Sequence, residues 1–240
     1  MKHIPNIITS LNLASGFVAI IFAANGDLLT ASWFILAAMI FDFLDGFFAR
    51  LLNAYSEIGK ELDSLADVVS FGVAPGFLIY RLLDDSLSII APGTIYNSGS
   101  VLFTLILIIP VLMPVCAALR LAIFNLDSAQ ATSFKGLPTP ANALAVISVV
   151  ITGHFSQSEL FTSFTNSPVL LVIFTIILSL LMISRIPLFS LKISNLKFKG
   201  NEGRYILCGL VLASFSIFGI MAVPLIIPLY IVASALSLLF

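Results

Sequence analysis

Apolar runs about as long as a bilayer is thick cover most of this chain of 240 residues. Spanning the hydrocarbon takes about 20 apolar residues in an α-helix, and a helix satisfies its own backbone hydrogen bonds in lipid. Hydrophobic residues make up 60% of the chain, and its mean hydropathy is +1.14. A soluble domain of this length cannot bury so much apolar surface in a core. The sequence therefore predicts an all-α integral membrane protein.

We expect these runs to form about eight transmembrane helices packed as a single bundle. No internal repeat is visible, and no loop between the runs exceeds about 15 residues, so nothing indicates a separate soluble domain. Pro224 and Pro228 interrupt the last run because proline breaks helical hydrogen bonding. This run is therefore either one bent pair of helices or a span followed by a re-entrant segment. The predicted spans are approximately 7–25, 28–49, 64–83, 100–125, 140–155, 168–190, 205–221 and 223–240.

The distribution of basic residues predicts which end of the bundle faces the cytoplasm. Lysine and arginine accumulate on the cytoplasmic side of membrane proteins. With the N-terminus inside, every one of the 11 basic residues except Arg81 falls on the cytoplasmic side of the predicted spans. We also see no pattern typical of a cleavable signal or an organelle-targeting segment. We therefore expect a protein of a prokaryotic plasma membrane.

Four aspartates lie in or beside the apolar runs of a chain that is only 10% charged. We call Asp42, Asp45, Asp63 and Asp67 the aspartate cluster. An ionised group at membrane depth costs about 2.5–3.5 kcal/mol on insertion scales, so such groups are rarely kept without a function. The first two are three residues apart and the last two are four apart, which puts each pair on one face of its helix. We expect the short connection between the pairs to bring them together at the cytoplasmic end.

The spacing of the aspartate cluster predicts a metal site. Four carboxylates that converge in a region of low dielectric constant repel one another unless cations neutralise them. Oxygen ligands alone favour hard metals, and two divalent ions would balance four negative charges. We therefore expect the cluster to hold two divalent cations, Mg²⁺ or Mn²⁺.

Small and basic residues between the two aspartate pairs indicate a ligand beside the metals. Gly46 and Gly59 lack side chains, and this allows either a ligand or a neighbouring helix to approach the backbone closely. Ala49 is also small, and the Arg50 guanidinium is suited to a bidentate phosphate contact. These four residues are candidates for binding a phosphorylated ligand.

The stretch from Asp42 to Asp67 resembles the signature of the CDP-alcohol phosphotransferase family, D-x2-D-G-x2-A-R-x8-G-x3-D-x3-D. All eight fixed positions of that signature are matched, by Asp42, Asp45, Gly46, Ala49, Arg50, Gly59, Asp63 and Asp67. The resemblance implies transfer of a substituted phosphate from a CDP-linked donor to an alcohol, with release of CMP. It also implies a homodimer built on a six-helix core.

The same resemblance assigns roles within the aspartate cluster. It implies that Asp42, Asp45 and Asp63 bind metal. It also implies that Asp67 contacts metal and acts as the base that deprotonates the attacking hydroxyl group. Direct displacement at phosphorus needs both positive charge at the pyrophosphate and a group that takes the proton of the alcohol.

Further segments resemble the phosphatidylserine synthase branch of the family, from P-N-I-I-T-S-L-N-L-A-S-G-F at the start to S-R-I-P-L-F-S-L-K at 184–192. The branch implies CDP-diacylglycerol as the donor, L-serine as the acceptor and membrane lipid as the surroundings. We accordingly divide the chain into a core, residues 1–192, and additional transmembrane helices, residues 193–240. The chain departs from the branch at Ile123, where an arginine is common, and at Asn142, where a run of alanines is common.

A serine acceptor needs a cation for its carboxylate and a hydrogen-bond acceptor for its ammonium group. Arg120 and Arg185 lie inside their predicted spans, and arginine matches the geometry of a carboxylate. Lys135 and Lys192 are further basic candidates. Asn125 either hydrogen-bonds the substrate or caps a helix end.

Polar residues recur every three or four positions in the first predicted span. Asn6, Thr9, Asn12 and Gly16 therefore share one helical face. This face either lines the nucleotide pocket or supplies polar contacts between helices, and the spacing fits both interpretations.

Two other functions compete with transfer to serine. The first keeps the chemistry but uses glycerol 3-phosphate or inositol phosphate as the acceptor, which would call for more clustered basic charge. The second is a cation transporter or channel, although outside the aspartate cluster the predicted spans are almost free of acids. A net charge of −1 gives no indication of nucleic-acid binding.

Overall fold

Helices form nearly all of the computed structural model, which describes residues 3–90, 101–126, 134–156, 158–189 and 201–237. Its α-helices are α1 Ile4–Ala24, α2 Leu28–Leu51, α3 Glu57–Asp67, α4 Ala74–Ile90, α5 Val101–Ile108, α6 Leu112–Leu126, α7 Thr139–Phe155, α8 Glu159–Thr165, α9 Pro168–Ile183, α10 Glu202–Phe218 and α11 Ile226–Ser237. A π-helical turn, Val68–Val73, joins α3 to α4. Short 3₁₀ segments, Ile109–Val111 and Gly219–Leu225, join α5 to α6 and α10 to α11.

The all-α membrane fold is confirmed, although the helices do not divide as the sequence predicted. Five helical stretches of the described chain are long and apolar enough to cross a membrane: Ile4–Ala24, Leu28–Leu51, Glu57–Ile90, Val101–Leu126 and Glu202–Ser237. A sixth results if α8 and α9, which meet at 79°, are counted as one broken span, and α7 is a shorter apolar helix. The count of eight spans stays a prediction.

The last two predicted spans correspond to two helices, α10 and α11, which are joined by a 3₁₀ segment. This segment begins at Gly219, whose φ of 55° is unfavourable for other residues. Pro224 lies inside the same segment and cannot donate a backbone hydrogen bond. The break that the prolines predicted is therefore present, and α10 and α11 fold back on each other there, since a Cβ atom on Gly203 at the start of α10 would lie 2.8 Å from the Cβ atom of Ser237 at the end of α11.

Helices α1 and α2 form a closely packed antiparallel hairpin. Ala19 and Ala23 of α1, and Ala31 and Ala38 of α2, are completely buried. Small side chains allow two helix backbones to approach closely in a membrane. Because the hairpin is tight, the C-terminal end of α2 lies beside the N-terminal end of α1.

The π-helical turn lies directly after Asp67 and is enclosed by three helices. A Cβ atom added to Gly16 of α1 would lie 2.7 Å from the Cα atom of Ser70, so the two backbones are in contact there. A Cβ atom on Gly72 would lie 3.1 Å from the Cα atom of Pro114 in α6. Asn142 of α7 donates a hydrogen bond to the carbonyl of Phe71 (3.3 Å). The chain that follows Asp67 is thus held on several sides.

Two short extended segments pair with each other, one before α7 and one after α9. Strand β1, Phe134–Lys135, pairs antiparallel with β2, Pro187–Leu188. The C-terminal helix α11 packs on the same core as the rest of the bundle, since Ile227 and Tyr230 belong to its hydrophobic cluster. The proposed boundary between residues 192 and 193 lies outside the described residues.

Candidate functional site

The aspartate cluster lies between the C-terminal part of α2, which carries Asp42 and Asp45, and the C-terminal half of α3, which carries Asp63 and Asp67. Ser56 caps α3 by accepting a hydrogen bond from the backbone N–H of Gly59 (3.0 Å), which stabilises the helix start. Carboxylate oxygens of Asp42, Asp63 and Asp67 lie within 4.8 Å of one another. The helical spacing read from the sequence therefore brings three of the four aspartates together.

The fourth aspartate, Asp45, lies next to this group rather than within it. It is buried, with 6% of its surface exposed, and it lines the same cleft as Asp63. The Thr9 hydroxyl donates a hydrogen bond to Asp45 Oδ2 (2.6 Å). Thr9 thus fixes the orientation of a predicted metal ligand from the neighbouring helix.

The charges of the aspartate cluster are not balanced by the surrounding protein. In the described part of the chain, ion pairs are formed by Arg81, and none is formed by the cluster. The Oδ1 atom of Asp63 is buried and has no hydrogen-bond partner among the described residues. Clustered carboxylates with an unsatisfied oxygen are well suited to a hard divalent cation such as Mg²⁺ or Mn²⁺. The cluster could therefore hold a metal.

Asn12 and Gly16 contact neighbouring helices instead of lining the cleft. Asn12 donates a hydrogen bond to Asp67 Oδ1 (3.3 Å), and its backbone carbonyl accepts one from the Ser70 hydroxyl (3.0 Å). Gly16 provides the space for Ser70. Of the two interpretations that the sequence left open, contact between helices therefore describes these two residues.

A cleft of about 340 Å³ opens beside the aspartate cluster and contains all five predicted nucleotide-binding residues. A Cβ atom on Gly46 would meet nothing within 4 Å, so this glycine borders open space. A Cβ atom on Gly59 would lie 2.9 Å from Asn6 Oδ1, so this glycine permits a close contact. The cleft is lined by Pro5, Asn6, Thr9, Asp45, Gly46, Ala49, Arg50, Ala54, Tyr55, Ser56, Gly59, Lys60 and Asp63.

Arg50 lies at the exposed edge of this cleft. Its Nε atom donates a hydrogen bond to the carbonyl of Gly46 (2.9 Å). Arginine has five N–H donors, so this contact leaves others for a phosphate.

The loop between α2 and α3 contributes residues to the cleft that the sequence analysis did not select. Ala54, Tyr55 and Ser56 line it, as does Lys60 one turn into α3. Lys60 also donates a hydrogen bond from Nζ to the carbonyl of Asn125 (3.2 Å). The sequence could have indicated these residues, because any ligand between the two aspartate pairs must lie against the segment that joins them.

The four candidates for acceptor contacts differ in their surroundings. Arg120 is 8% exposed, its Nε has no hydrogen-bond partner among the described residues, and it is close enough to Asp67 for electrostatic interaction. Asn125 donates a hydrogen bond to the Ser64 hydroxyl (2.9 Å) and so joins α6 to α3. The backbone of Lys135 is in β1, whereas its side chain and all of Lys192 lie outside the described residues.

The prediction that Arg185 lies inside a transmembrane span is wrong. Helix α9 ends at Ile183, and Ser184 has extended backbone angles. Arg185 is exposed and lies between the end of α9 and β2. Proline disfavours helical conformation in the residue before it, and Pro187 begins the extended pair only two residues after Arg185.

Comparison with known proteins agrees with the motif. The family model for CDP-alcohol phosphatidyltransferase matches residues 2–184. The chain is 34% identical over 186 residues to the CDP-diacylglycerol–serine O-phosphatidyltransferase of Bacillus subtilis, a match that covers 78% of this chain and 89% of that one. It is 36% identical to the enzyme of the same name from Methanocaldococcus jannaschii, over 76% of this chain and 72% of that one.

A third relative differs in its name. The chain is 35% identical over 157 residues to the archaetidylserine synthase of Methanothermobacter thermautotrophicus, a match that covers 64% of this chain and 60% of that one. The family match covers the entire aspartate cluster and its cleft. The chain therefore belongs to the CDP-alcohol phosphatidyltransferase family and is an integral membrane transferase.

Proposed function

We propose that this protein transfers the phosphatidyl group of CDP-diacylglycerol to the hydroxyl group of L-serine, giving phosphatidylserine and CMP. The observation that carries the proposal is the convergence of three carboxylates at 4.8 Å beside a cleft that contains all five candidate nucleotide contacts. The names of the relatives support serine as the acceptor.

The cleft beside the aspartate cluster is the proposed site of the cytidine and pyrophosphate. Gly46 and Gly59 let the nucleotide approach the backbone, and Asn6 and Ala49 line the walls. Arg50 supplies hydrogen bonds and positive charge to a phosphate. Exposed apolar residues of α2 such as Phe43 and Phe47 flank this end of the helix, so the acyl chains of the donor can remain in the bilayer.

Asp42, Asp45, Asp63 and Asp67 would hold the divalent cations. When bound, these cations would neutralise the pyrophosphate and stabilise the leaving CMP. Thr9 orients Asp45 through its hydrogen bond. The presence of two ions, as opposed to one, is part of the proposal, since four carboxylates carry the charge that two divalent ions balance.

Asp67 is the proposed general base. The oxygen of the serine hydroxyl forms the new bond to the lipid-linked phosphorus while the bond from that phosphorus to the CMP oxygen breaks. The hydroxyl proton passes to the Asp67 carboxylate, directly or through one water molecule. Asn12 holds Asp67 by donating to Oδ1, which leaves the other oxygen for the proton. No covalent enzyme intermediate is required.

Arg120 is the best placed of the candidates for the serine carboxylate. Its buried guanidinium has an unsatisfied Nε and lies near Asp67. Arginine pairs with a carboxylate through two parallel hydrogen bonds. Asn125, Arg185 and Lys135 remain further candidates around the same side of the bundle.

We place the protein in a prokaryotic plasma membrane, with the aspartate cluster facing the cytoplasm, and we propose that it works as a homodimer. Arg50, Lys60, Arg120 and Arg185 all belong to the end of the bundle that carries the cluster, which supports this orientation. Serine from the cytoplasm would then reach the site directly, and CMP would be released to the same side.

The test is CMP release by the purified protein from CDP-diacylglycerol with Mg²⁺ or Mn²⁺. L-serine is compared with glycerol 3-phosphate and inositol phosphate as acceptors, and each reaction is repeated after addition of a chelator. We expect release that needs both serine and the divalent metal. Release with another alcohol in place of serine would contradict the proposed acceptor. Cation flux through reconstituted protein without CMP release would favour a transporter instead.

A further inference from the structure

Tyr230 of α11 lies in the bundle core near the candidate acceptor contacts, although it is outside the region matched by the family model. The residue is 3% exposed. It is close enough to Arg120 for electrostatic interaction, and Arg120 interacts with Asp67 in the same way. A residue of the C-terminal helix thus lies within electrostatic range of the buried Arg120 guanidinium, which in turn lies within electrostatic range of the proposed base.

Tyr230 also holds the segment that follows α9. Its hydroxyl donates a hydrogen bond to the carbonyl of Phe189 (2.8 Å), and the two rings pack edge to face with centroids 5.3 Å apart. Phe189 comes directly after β2, and Arg185 lies two residues before β2 begins.

Helix α10 encloses Phe189 on a further side. A Cβ atom on Gly203 would lie 3.0 Å from the Phe189 ring and 2.8 Å from the Cβ atom of Ser237 in α11. Gly203 is therefore the position where α10, α11 and Phe189 meet. The absence of a side chain there lets the C-terminal helices close on the segment.

The paired strands extend this contact to β1. Lys135 pairs with Pro187, and Phe134 pairs with Leu188. The backbone of β1 and the residues around Arg185 are consequently fixed relative to α11. Helix α11 thus lies within electrostatic range of Arg120 and contacts the segment that follows β2. The strands of this short sheet carry or adjoin two other basic candidates, Lys135 and Arg185.

We propose that the C-terminal helices α10 and α11 form part of the acceptor-binding side of the site, with Tyr230 as a positioning residue. This inference rests on the proposed function. Tyr230 holds the segment after β2, and with it the β1–β2 pair that adjoins Arg185 and carries Lys135, in the geometry that binds the alcohol. The donor cleft is built from α1, α2, α3 and the loop between α2 and α3, so Tyr230 does not contribute to nucleotide binding.

The test measures the KM for serine and the KM for CDP-diacylglycerol separately in Tyr230→Phe. This variant keeps the ring against Phe189 and removes the hydrogen bond to its carbonyl. We expect the KM for serine to rise about three- to tenfold, as for loss of one buried hydrogen bond, while the KM for CDP-diacylglycerol is unchanged. Equal increases in both constants, a fall in kcat alone, or no change would overturn the inference.

A glycine pair on α10 gives a second test with a matched control. Gly203→Ala places a methyl group against Phe189 and Ser237, whereas the added methyl of Gly209→Ala meets nothing within 4 Å. We expect a selective rise in the KM for serine in the first variant and wild-type constants in the second. If Tyr230→Phe does not fold, this pair decides, and equal behaviour of the two variants would overturn the inference.

The same experiment separates failure of this inference from failure of the proposed function. Wild-type CMP release with another alcohol would overturn serine as the acceptor, and the KM for that alcohol in the same variants would then test the role of Tyr230. A wild-type protein that releases no CMP with any alcohol would overturn both.

Discussion

The two ends of the α1–α2 hairpin both carry or adjoin aspartates, but the surrounding residues compensate the charges of these aspartates differently. At the turn between the helices, Asp27 accepts a hydrogen bond from the backbone N–H of Thr30 (3.0 Å), and hydrogen bonds from Thr30 lower the pKa of Asp27. Close to this turn, Arg81 pairs with Asp84 (3.0 Å) and Asp85 (3.4 Å). At the other end, the aspartate cluster receives hydrogen bonds from neutral donors and forms no ion pair in the described chain.

The size of the cavity does not separate the two ends. The cleft at the turn, lined among others by Asp27, Gly153 and His154, has a volume of about 450 Å³ and is larger than the cleft at the aspartate cluster. What differs is the balance of charge. Acids whose charge is already compensated stabilise the fold, whereas acids left uncompensated at membrane depth indicate a ligand.

The largest effect should come from exchanging one buried aspartate at each end. Asp67 and Asp84 are both 7% exposed, so Asp67→Asn and Asp84→Asn are matched in burial. We expect Asp67→Asn to lower kcat by about 10³-fold, as for removal of a general base. Asp84→Asn should leave kcat unchanged, because its partner Arg81 is remote from the cleft. CMP release measured in both variants checks this, and similar losses would contradict the comparison.

Divalent cations should raise the free energy of unfolding by binding at the aspartate cluster and not at the turn between α1 and α2. At 100 times its Kd, a ligand that binds only the folded state raises the free energy of unfolding by about 2.7 kcal/mol. We expect this gain for Mg²⁺ with the wild-type protein and most of it to disappear in Asp42→Asn. Asp85→Asn should keep it. The measurement is thermal unfolding in detergent with Mg²⁺ and with a chelator; an undiminished gain in Asp42→Asn would exclude this metal site.

The hydrogen bond from Thr9 to Asp45 should matter more than the one from Thr30 to Asp27. We expect Thr9→Val to weaken divalent-cation binding by about 10- to 100-fold, which is typical of removing a residue that orients a metal ligand. Thr9→Ser retains the hydroxyl and should recover most of the affinity. Thr30→Val removes the Thr30 hydroxyl, which also hydrogen-bonds Asp27, but keeps the backbone N–H, and it should leave affinity unchanged. Titration of metal-dependent CMP release gives the three values, and a normal affinity in Thr9→Val would show that Asp45 needs no such support.

The smallest expected effect is on the KM for CDP-diacylglycerol, and it should distinguish substitutions of two glycines that both border open space. Neither Gly46 nor Gly153 would bring an added Cβ within 4 Å of another atom. Gly46→Ala narrows the proposed nucleotide cleft, so we expect the KM for CDP-diacylglycerol to rise about fivefold, equivalent to about 1 kcal/mol. Gly153→Ala narrows the other cleft and should leave both KM values unchanged. A rise in both variants would indicate a general effect on helix packing.

Features set by local geometry could be predicted from the sequence. The aspartate pairs share a helix face because residues three or four apart always do, and the cleft residues Gly46, Ala49 and Arg50 follow from the same turn of α2. The broken final span followed from Pro224. Arg185 was misplaced although Pro187 signalled the end of the helix, because the apolar run continued past Ile183.

Features set by contacts between distant segments could not be predicted. Asn142 departs from the alanines common in its branch, and its partner is a carbonyl 71 residues earlier in the chain. The Asn12 side chain hydrogen-bonds Asp67 and does not line the nucleotide cleft, and this depends on how α1 packs on the π-helical turn. The proximity of Tyr230 to Arg120 joins segments that no local pattern connects.

The π-helical turn also limits how the length of this chain can change. A π-helical turn closes its hydrogen bonds over one residue more than an α-helical turn, so deleting one residue from Val68–Val73 would leave too little chain for this turn. The same turn places Gly72 and Gly76, which make room for Pro114 of α6 and for Pro110 of the 3₁₀ segment before it. Loops elsewhere can gain or lose residues over evolution at little cost. Between Asp67 and Gly76, by contrast, the number of residues is itself a determinant of the fold.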